Sequence, residues 1–276
     1  MKTVLVTGSN GFIGKHLVKG LIKRNFKVIE FSLPHNDIRE EININEKVDL
    51  IFHLAALLKE TDYSELHKTN VLGTRNVINF ALKNHAKLIF ASTYVYGNPD
   101  KLPVDETVEL RPTSNYTKSK IEAENLIINS GLNFIILRQF NIYGPGQDGN
   151  MLIPLILKQI KENKEITLMG KPTPKRDFLY VGDLIDGMLL AADYLNNNRA
   201  VKSIINMGSG KSYSVEETVR LIQKIKGTNK ETRYQRNSSE SEVFDSCADI
   251  SKAKRILNWS PIIGIEEGLK KTSLNY

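Results

Sequence analysis

A glycine-rich turn near the N-terminus is the feature that most restricts what this chain can fold into. The turn runs from Thr7 to Gly14 with the spacing G-x-x-G-x-x-G, after the apolar run Thr3–Val6 and at the start of the helix-like segment Gly11–Arg24. Glycines at this spacing permit a tight turn, close approach of the backbone to a pyrophosphate, and close packing of the helix on the strand. The positive end of the helix dipole would then face the phosphates. The turn therefore predicts a dinucleotide site, with a ligand-free strand–helix turn as the alternative.

Apolar runs and helix-like segments alternate through the first half of the chain. The runs are Thr3–Val6, Val28–Phe31, Asp49–Leu54, Lys87–Ala91 and Asn133–Leu137, and the helix-like segments are Gly11–Arg24, Ser64–Asn84 and Asn115–Asn129, the last carrying Lys118, Lys120, Glu122 and Glu124 on turns predicted to be exposed. Runs rich in Val, Ile, Leu and Phe suit strands that are buried on both faces of a parallel sheet. We therefore predict an α/β fold with a doubly wound parallel sheet of the Rossmann type, and a dinucleotide-binding domain at residues 1–144.

The sequence Gly144-Pro-Gly interrupts this pattern. We predict that residues 145–276 form mainly a smaller α/β region that binds the substrate, with later segments crossing back to the first domain. In this half the sequence predicts helices at Met151–Asn163, Asp183–Leu195 and Val215–Ile225, a strand at Ile166–Met169, and loops at Gly170–Lys175 and Asn229–Glu242.

Composition narrows the class of partner. Lys and Arg total 38 against 31 Asp and Glu, and the basic residues are scattered rather than clustered. This predicts a solvated basic surface that attracts an anionic small molecule and not nucleic acid. The single cysteine, Cys247, excludes an internal disulfide framework and a thiolate zinc site, and we predict no metal. No apolar run reaches the roughly 18 residues of a membrane span. We therefore predict a cytoplasmic protein with no membrane partner.

Tyr116, Lys120 and Ser92 are the predicted catalytic residues. Tyr116 and Lys120 are four residues apart in a predicted helix, so they share one face. A nearby ammonium would lower the pKa of a tyrosine from about 10 and make it a usable base. Ser92 follows a buried strand at the carboxyl edge of the sheet, where its hydroxyl could hydrogen-bond the reacting oxygen. Thr93 takes this place if the register slips by one residue.

Short motifs that follow the glycine turn in order carry a resemblance over nearly all 276 residues. They are Asp37-Ile, His53-Leu-Ala-Ala, Asn70-Val-Leu-Gly-Thr, Ser92-Thr-Tyr-Val-Tyr-Gly, Tyr116-Thr-Lys-Ser-Lys, Arg138-Gln-Phe-Asn-Ile-Tyr-Gly-Pro-Gly, Arg176-Asp-Phe-Leu-Tyr-Val-Gly-Asp, Asn206-Met-Gly-Ser-Gly and Asn258-Trp-Ser-Pro. Each motif is weak alone, but the ordered set resembles the extended short-chain dehydrogenase/reductase superfamily, in particular its NAD-dependent epimerase/dehydratase family.

The resemblance implies a cofactor site and a nucleotide-sugar site. Its cofactor-binding residues would be Gly8, Asn10, Gly11, Phe12, Ile13, Gly14, Ser32, Asp37, Ile38, Leu54, Ala55, Ala56, Asn70, Tyr116, Lys120 and Phe140. Its substrate-binding residues would be Ser92, Thr93, Tyr94, Tyr116, Asn141, Arg176 and Arg236. Arg236 departs from the family, because the Pro-Gly that usually follows this arginine is missing and Arg233 is a rival candidate.

The choice of cofactor depends on the end of the second predicted strand. In the family an Asp here accepts hydrogen bonds from the adenosine ribose and selects NAD. In this chain Ser32 stands at that position, and Glu30 lies two residues earlier. Ser32 would not repel a 2′-phosphate, which His35 or Arg39 could approach. The sequence therefore favours NADP(H) slightly, with NAD as the alternative.

The reaction class follows from a missing acid. Family 4,6-dehydratases carry a carboxyl residue two positions after the Ser/Thr, where this chain has Tyr94. This disfavours a dehydratase and leaves reduction or epimerisation at one carbon. Together with the short chain and Ser32, it favours a 4-ketoreductase that transfers hydride at C4 of a nucleoside-diphosphate 4-keto-6-deoxyhexose. The alternatives are an NAD-dependent nucleotide-sugar 4-epimerase and, from another class, a non-catalytic NAD(P)-binding regulator. The family also implies a homodimer through the helices at Gly73–Leu82 and Asn115–Ile127.

Overall fold

The computed structural model describes residues 2–58, 62–235, 243–274 and 276. Its strands are β1 (Thr3–Thr7), β2 (Lys27–Phe31), β3 (Leu50–His53), β4 (Lys87–Thr93), β5 (Phe134–Gln139), β6 (Asn141–Tyr143), β7 (Ile166–Met169), β8 (Lys175–Tyr180), β9 (Lys202–Met207), β10 (Ser212–Ser214) and β11 (Thr232–Gln235). Its helices are α1 (Phe12–Lys23), α2 (Tyr63–Leu66), α3 (Gly73–Asn84), α4 (Asn115–Ile128), α5 (Leu152–Lys161), α6 (Val181–Asn197), α7 (Val215–Lys226), α8 (Ser251–Leu257) and α9 (Ile265–Ser273). A π-helical segment, His67–Leu72, connects α2 to α3.

A six-stranded parallel sheet forms the centre of the molecule. Its strand order is β2-β1-β3-β4-β5-β9, and every neighbouring pair is parallel. The five strands predicted in the first half are all present in this sheet. The predicted fold class, a doubly wound parallel α/β sheet, is confirmed.

Helices cover both faces of the central sheet, which explains why its strands are apolar on both sides. One apolar layer packs α1, α6 and α8 against the sheet. The other packs α3 and α4 against the opposite face. The β5 strand illustrates the result, since all six of its residues are buried. The carboxyl ends of the strands remain as the edge at which a ligand can bind.

The second half builds two smaller sheets and also returns to the first half. One small sheet has the order β10-β8-β6, and β11 pairs with β7 in the other. A separate apolar core lies between α5, α7 and these strands. The chain then returns: β9 forms the edge of the central sheet beside β5, and α6 and α8 pack in the layer of α1.

One predicted loop is partly a strand. Residues 229–242 were expected to be loop, but Thr232–Gln235 form β11, in parallel register with β7. The rest of this loop that follows β11, residues 236–242, lies outside the described residues. In β11 only Thr232 and Tyr234 are partly buried. This alternation of two residues is too short for the sequence to distinguish a strand from a polar loop.

The described residues contain neither a membrane-spanning helix nor a cluster of metal-binding side chains. No helix there is long and apolar enough to cross a membrane. No group of three or more His, Cys, Asp or Glu side chains in those ranges is arranged to hold a metal ion.

Candidate active site

The glycine turn folds tightly back on itself between β1 and α1. Gly8 has a left-handed backbone (φ 70°), and a Cβ atom there would lie 2.7 Å from the backbone nitrogen of Ala55. A Cβ atom at Gly14 would lie 2.2 Å from the Gly8 carbonyl oxygen, to which the Gly11 N–H donates at 3.0 Å. A side chain at Gly8 or Gly14 would therefore push the turn open.

The N-terminus of α1 is left open for an anion. Helix α1 has no acidic residue in its first turn, and no described side chain caps its first N–H groups. Uncapped N–H groups together with the positive end of the helix dipole make a phosphate site. This end of α1 fits the pyrophosphate of a dinucleotide, as the sequence predicts.

Ser32 holds the glycine turn against the end of β2. Its Oγ lies 3.0 Å from the Ser9 Oγ and accepts the Asn10 N–H at 3.2 Å. The Asn10 side chain donates to the Leu33 carbonyl at 3.3 Å. The Ser32 hydroxyl thus hydrogen-bonds other residues of the protein. In the family, a carboxylate at this position lies beside the adenosine ribose.

The Asp37-Ile38 pair is anchored to neighbouring residues. Arg39 donates to Asp37 from its backbone N–H at 2.9 Å and from Nε at 2.8 Å, and this hydrogen bonding lowers the pKa of Asp37. Ile38 is buried beneath Gly73, where a Cβ atom would lie 2.8 Å from the Ile38 Cδ1. Asn76 donates to the Ile38 carbonyl at 2.9 Å. Arg39, a candidate cation for a 2′-phosphate, is therefore already paired.

A buried hydrogen-bond chain runs from the glycine turn to α3 through His53. Thr74 Oγ1 donates to the Asn70 carbonyl at 2.6 Å, so it can only accept from His53 Nε2, at 2.9 Å. His53 Nδ1 therefore accepts from the Thr7 hydroxyl at 2.7 Å. Burial, aided by the charge of Lys120, lowers the pKa of His53 to about 3. A neutral imidazole of fixed tautomer thus ties β1 to β3 and α3.

Asn70 clamps the segment that contains three predicted cofactor residues, 54–56. Its Oδ1 accepts the Leu57 N–H at 2.8 Å, and its Nδ2 donates to the Leu57 carbonyl at 3.0 Å. The same Nδ2 donates to Ser119 Oγ at 2.9 Å, and Ser119 donates to the Tyr116 carbonyl at 2.7 Å. Asn70 therefore positions both the 54–57 segment and the first turn of α4.

Lys120 lies buried on α4, one turn after Tyr116. It is 2% exposed, and its Nζ lies 3.9 Å from the centre of the Phe90 ring. Within the described part of the chain no acceptor hydrogen-bonds this Nζ atom. Burial lowers the pKa of Lys120 to about 7, and the carboxylate of Glu124 only partly opposes this. A buried ammonium that lacks an acceptor fits a ligand that supplies hydroxyl groups, such as the nicotinamide ribose.

This buried lysine predicts a pH-dependent stability of the cofactor-free protein. The pKa of Lys120 falls from 10.5 to about 7 on folding, so between these pH values the unfolded chain binds the extra proton and stability rises with pH. We expect Lys120→Met to be more stable than the wild type at pH 7, by several degrees in Tm. The gap should close as the pH approaches 10. Thermal melts across this range test it, with Lys270→Met controlling for loss of an exposed charge. A gap that widens with pH would contradict the prediction.

The hydroxyl groups of Ser92 and Thr93 point in different directions at the end of β4. Consecutive side chains on a strand alternate between faces. The Ser92 hydroxyl donates to the buried carboxylate of Glu124. Burial raises the pKa of Tyr116 to about 12, and a hydrogen bond from the Thr93 side chain lowers it. The Ser92 hydroxyl is therefore held by Glu124, and Thr93 is the hydroxyl residue beside Tyr116. Ser92 as the catalytic residue, with Thr93 as its alternative, stays a prediction.

A buried ion pair lies behind Ser92, and sequence reasoning missed it. Arg138 Nη2 lies 2.8 Å from Glu124 Oε2, and Arg138 Nη1 donates to the Tyr96 hydroxyl at 3.0 Å. Both charged side chains are at most 3% exposed, and Lys120 is buried too, so the prediction of exposed turns for Lys120 and Glu124 was wrong. The available signal was the spacing of four, which continues from Tyr116 through Lys120 to Glu124 on one inward face.

The predicted substrate residues that the structure describes lie on β6, β8, the start of α4 and the end of β4. Asn141 donates to the Asp177 carbonyl at 3.3 Å, and Arg176 donates to the Val243 carbonyl at 2.7 Å. Phe140 is buried against the Tyr94 ring, with 5.1 Å between ring centres. β6 and β8 are adjacent parallel strands, which brings Asn141 and Arg176 into one small sheet. Arg236 lies outside the described residues.

Sheet, glycine turn and Tyr–Lys helix together define the class of an extended short-chain dehydrogenase/reductase. Residues 4–208 match the NAD dependent epimerase/dehydratase family, and the chain belongs to that family. The predicted family and the predicted enzyme class are both confirmed.

Named relatives refine this assignment. A protein of Methanocaldococcus jannaschii, provisionally named a UDP-glucose 4-epimerase, is 34% identical over 97% of this chain and 96% of its own length. The UDP-glucose 4-epimerase of Thermotoga maritima, solved with UDP-glucose, has a TM-score of 0.91 at 29% identity and covers 99% of this chain and 98% of its own. MoeE5, solved with UDP-glucuronic acid and NAD, has a TM-score of 0.90 at 27% identity, with the same coverage. These relatives favour the 4-epimerase alternative over the 4-ketoreductase.

Proposed function

We propose that this chain is an NAD-dependent UDP-sugar 4-epimerase. The observation that carries the proposal is that Tyr116 and the buried Lys120 share one face of α4, with the Thr93 side chain of β4 beside Tyr116 and a tyrosine at the position of the dehydratase acid. The Tyr94 hydroxyl donates to the Gly97 carbonyl at 2.8 Å, and burial raises the pKa of Tyr94 above its ordinary value. It offers no carboxyl group for elimination of water, so chemistry at C4 alone is favoured.

The chain's own groups have defined tasks in this reaction. Bound NAD would supply the hydride acceptor for the sugar C4. Tyr116 would take the proton of the C4 hydroxyl and later return it, while the Thr93 hydroxyl donates a hydrogen bond to the reacting oxygen. Bringing the pKa of Tyr116 from about 12 to near 7 requires roughly 7 kcal/mol of differential interaction. The ammonium of Lys120, held in a buried site, supports the phenolate form.

The cofactor site would use the residues that the structure gathers at the sheet edge. The N-terminus of α1 would bind the pyrophosphate, with Gly8 and Gly14 keeping the turn before it tightly folded. Lys120 would hydrogen-bond the nicotinamide ribose. The substrate end would use Asn141 and Arg176, and Arg236 stays a prediction for the diphosphate. A cytoplasmic location and a homodimer through α3 and α4 also stay predictions. Exposed apolar residues on these two helices, Leu82 and Ile128, are compatible with such an interface.

NAD, rather than the NADP(H) that the sequence slightly favours, is the cofactor we propose. The Ser32 hydroxyl is held within the glycine turn, and Arg39 is paired with Asp37, so a 2′-phosphate would lack a free arginine there. MoeE5 was solved with NAD. The wild type is therefore expected to bind NAD more tightly than NADP.

Ser32→Asp should strengthen this preference. A carboxylate at residue 32 can accept the hydrogen bonds from Ser9 and Asn10 that the hydroxyl now shares, so the turn is kept while a negative charge is added. We expect the ratio of NADP to NAD dissociation constants to rise roughly 5- to 150-fold. Ser32→Asn, which adds no charge, is the control. A wild type that prefers NADP would remove the NAD assignment and weaken the case for an epimerase.

Nucleotide release and an interconversion assay test the proposed function. Heat-denatured protein should release NAD, and the native protein should interconvert UDP-glucose and UDP-galactose, or the corresponding uronates, with no added cofactor. Net oxidation of added NADPH by a 4-keto-6-deoxy sugar nucleotide, without interconversion, would instead show the 4-ketoreductase. NAD binding with neither activity would indicate the non-catalytic regulator.

A further inference from the structure

An unpartnered amide lies at the carboxyl edge of the central sheet. Gln139 is the last residue of β5 and is 6% exposed. Its Nε2 atom is buried and has no hydrogen-bond partner among the described residues. A buried donor without an acceptor is costly, and most such groups in folded proteins are paired. This donor therefore points to a ligand that supplies the missing acceptor.

The alternation along β5 shows which side of the sheet Gln139 faces. Phe134 and Ile136 pack on the α3 and α4 side, and Arg138 meets Glu124 of α4. Ile135 and Leu137 pack in the layer of α1 and α6. Gln139 continues this second row. Its side chain thus lies in the same layer as the start of α1, where the glycine turn ends.

The register then places Gln139 beside the proposed reacting groups. In the parallel ladder Gln139 is opposite Thr93 on β4 and Met207 on β9. The Thr93 side chain lies beside Tyr116, the proposed acid–base group. In the proposed function the pyrophosphate binds at the N-terminus of α1 and the reactive end of the dinucleotide lies near Thr93 and Tyr116. Gln139 is next to that place and on the same side of the sheet as α1.

We propose that the side-chain amide of Gln139 hydrogen-bonds the carboxamide of the nicotinamide ring and so fixes the orientation of the ring. The inference rests on the proposed function only in that NAD binds with its nicotinamide near Tyr116. A carboxamide carries an acceptor oxygen and donor N–H groups, and it therefore matches an amide partner. A sugar hydroxyl is the other acceptor that could reach this edge, and the experiment separates the two.

Calorimetric binding of NAD and of ADP-ribose to nucleotide-free protein tests the proposal. ADP-ribose keeps the adenosine, the pyrophosphate and the second ribose but lacks the nicotinamide. For Gln139→Leu and Gln139→Met we expect the dissociation constant for NAD to rise roughly 5- to 30-fold, the effect of one lost hydrogen bond. The constant for ADP-ribose should change less than about twofold. Because the substitutions remove an unpaired buried donor, the Tm of the ligand-free variants should not fall.

Gln223→Leu is the matched control. Gln223 is also largely buried and has an unpaired amide oxygen, but it lies on α7, beside the separate apolar core of the second half of the chain. Its substitution should leave both dissociation constants unchanged. Equal weakening of NAD and ADP-ribose by Gln139→Leu would overturn the proposal, as would unchanged NAD affinity. Weaker UDP-glucose binding with normal NAD binding would assign the amide to the sugar and likewise overturn it. A wild type that binds neither NAD nor ADP-ribose would instead show that the proposed function fails.

Discussion

Tyr116→Phe is expected to reduce kcat by about 10²- to 10⁴-fold, the usual contribution of a general acid–base group. The substitution removes only the hydroxyl group beside Thr93, so the ring packing and the Ser119 contact to the backbone of Tyr116 should persist. NAD affinity should therefore stay within a few-fold of the wild type. Steady-state interconversion of UDP-glucose and UDP-galactose, with a parallel NAD titration, measures both quantities.

Tyr94→Phe is the control for loss of a nearby phenol. Tyr94 gives its hydroxyl to the Gly97 carbonyl, so its removal should have a much smaller effect on kcat. Activity of Tyr116→Phe within about tenfold of the wild type would remove Tyr116 from the acid–base role.

Substitutions of Ser92 and Thr93, at the end of β4, test which of the two hydroxyl groups acts in catalysis. Thr93→Val should lower kcat with little change in stability, because it removes the hydroxyl beside Tyr116. Ser92→Ala should chiefly lower stability, because it removes a donor to the buried Glu124. The reverse pattern would restore Ser92 to the catalytic place that the sequence favoured.

Arg138→Met is expected to destabilise the protein by about 3–5 kcal/mol, the cost of removing one partner of a buried ion pair. Glu124 is 1% exposed and would lose its guanidinium partner, leaving a charge in the layer between β5 and α4. Unfolding in urea, followed by circular dichroism, gives the change in midpoint and in free energy.

Arg233→Met is the matched control at an exposed pair. Arg233 lies 3.1 Å from Glu165, but both side chains are at least half exposed, so the loss of stability should be much smaller than for Arg138→Met. Combining Arg138→Met with Glu124→Leu should recover much of the lost stability, because apolar groups can replace a buried pair. Equal effects of Arg138→Met and Arg233→Met would show that the buried pair contributes no more than the exposed one.

Local patterns in the sequence were sufficient to predict the general architecture of the fold. The glycine spacing is a property of eight consecutive residues, and the apolar runs that became the first five strands of the central sheet are each four to six residues long. Tyr116 and Lys120 share a face because the helical repeat is 3.6 residues. These features depend on neighbours in the chain, and they were enough to predict the Rossmann-type sheet, whereas the family was predicted from the ordered set of motifs along nearly the whole chain.

Contacts between distant segments decided the rest. Whether the Ser92 or the Thr93 hydroxyl meets Glu124 depends on which face of β4 lies against α4, and the sequence of β4 alone does not contain that information. The burial of Glu124 needs Arg138, fourteen residues later, and the return of β9 beside β5 needs the whole second half of the chain. The unpaired amide of Gln139 becomes visible only when every neighbouring donor and acceptor has been placed. Sequence thus determined the fold and the helix face of the reacting pair, because these follow from local periodicity. Tertiary packing determined the direction of each hydroxyl, charge and amide, because those are set by groups that are far apart in the chain and close in space.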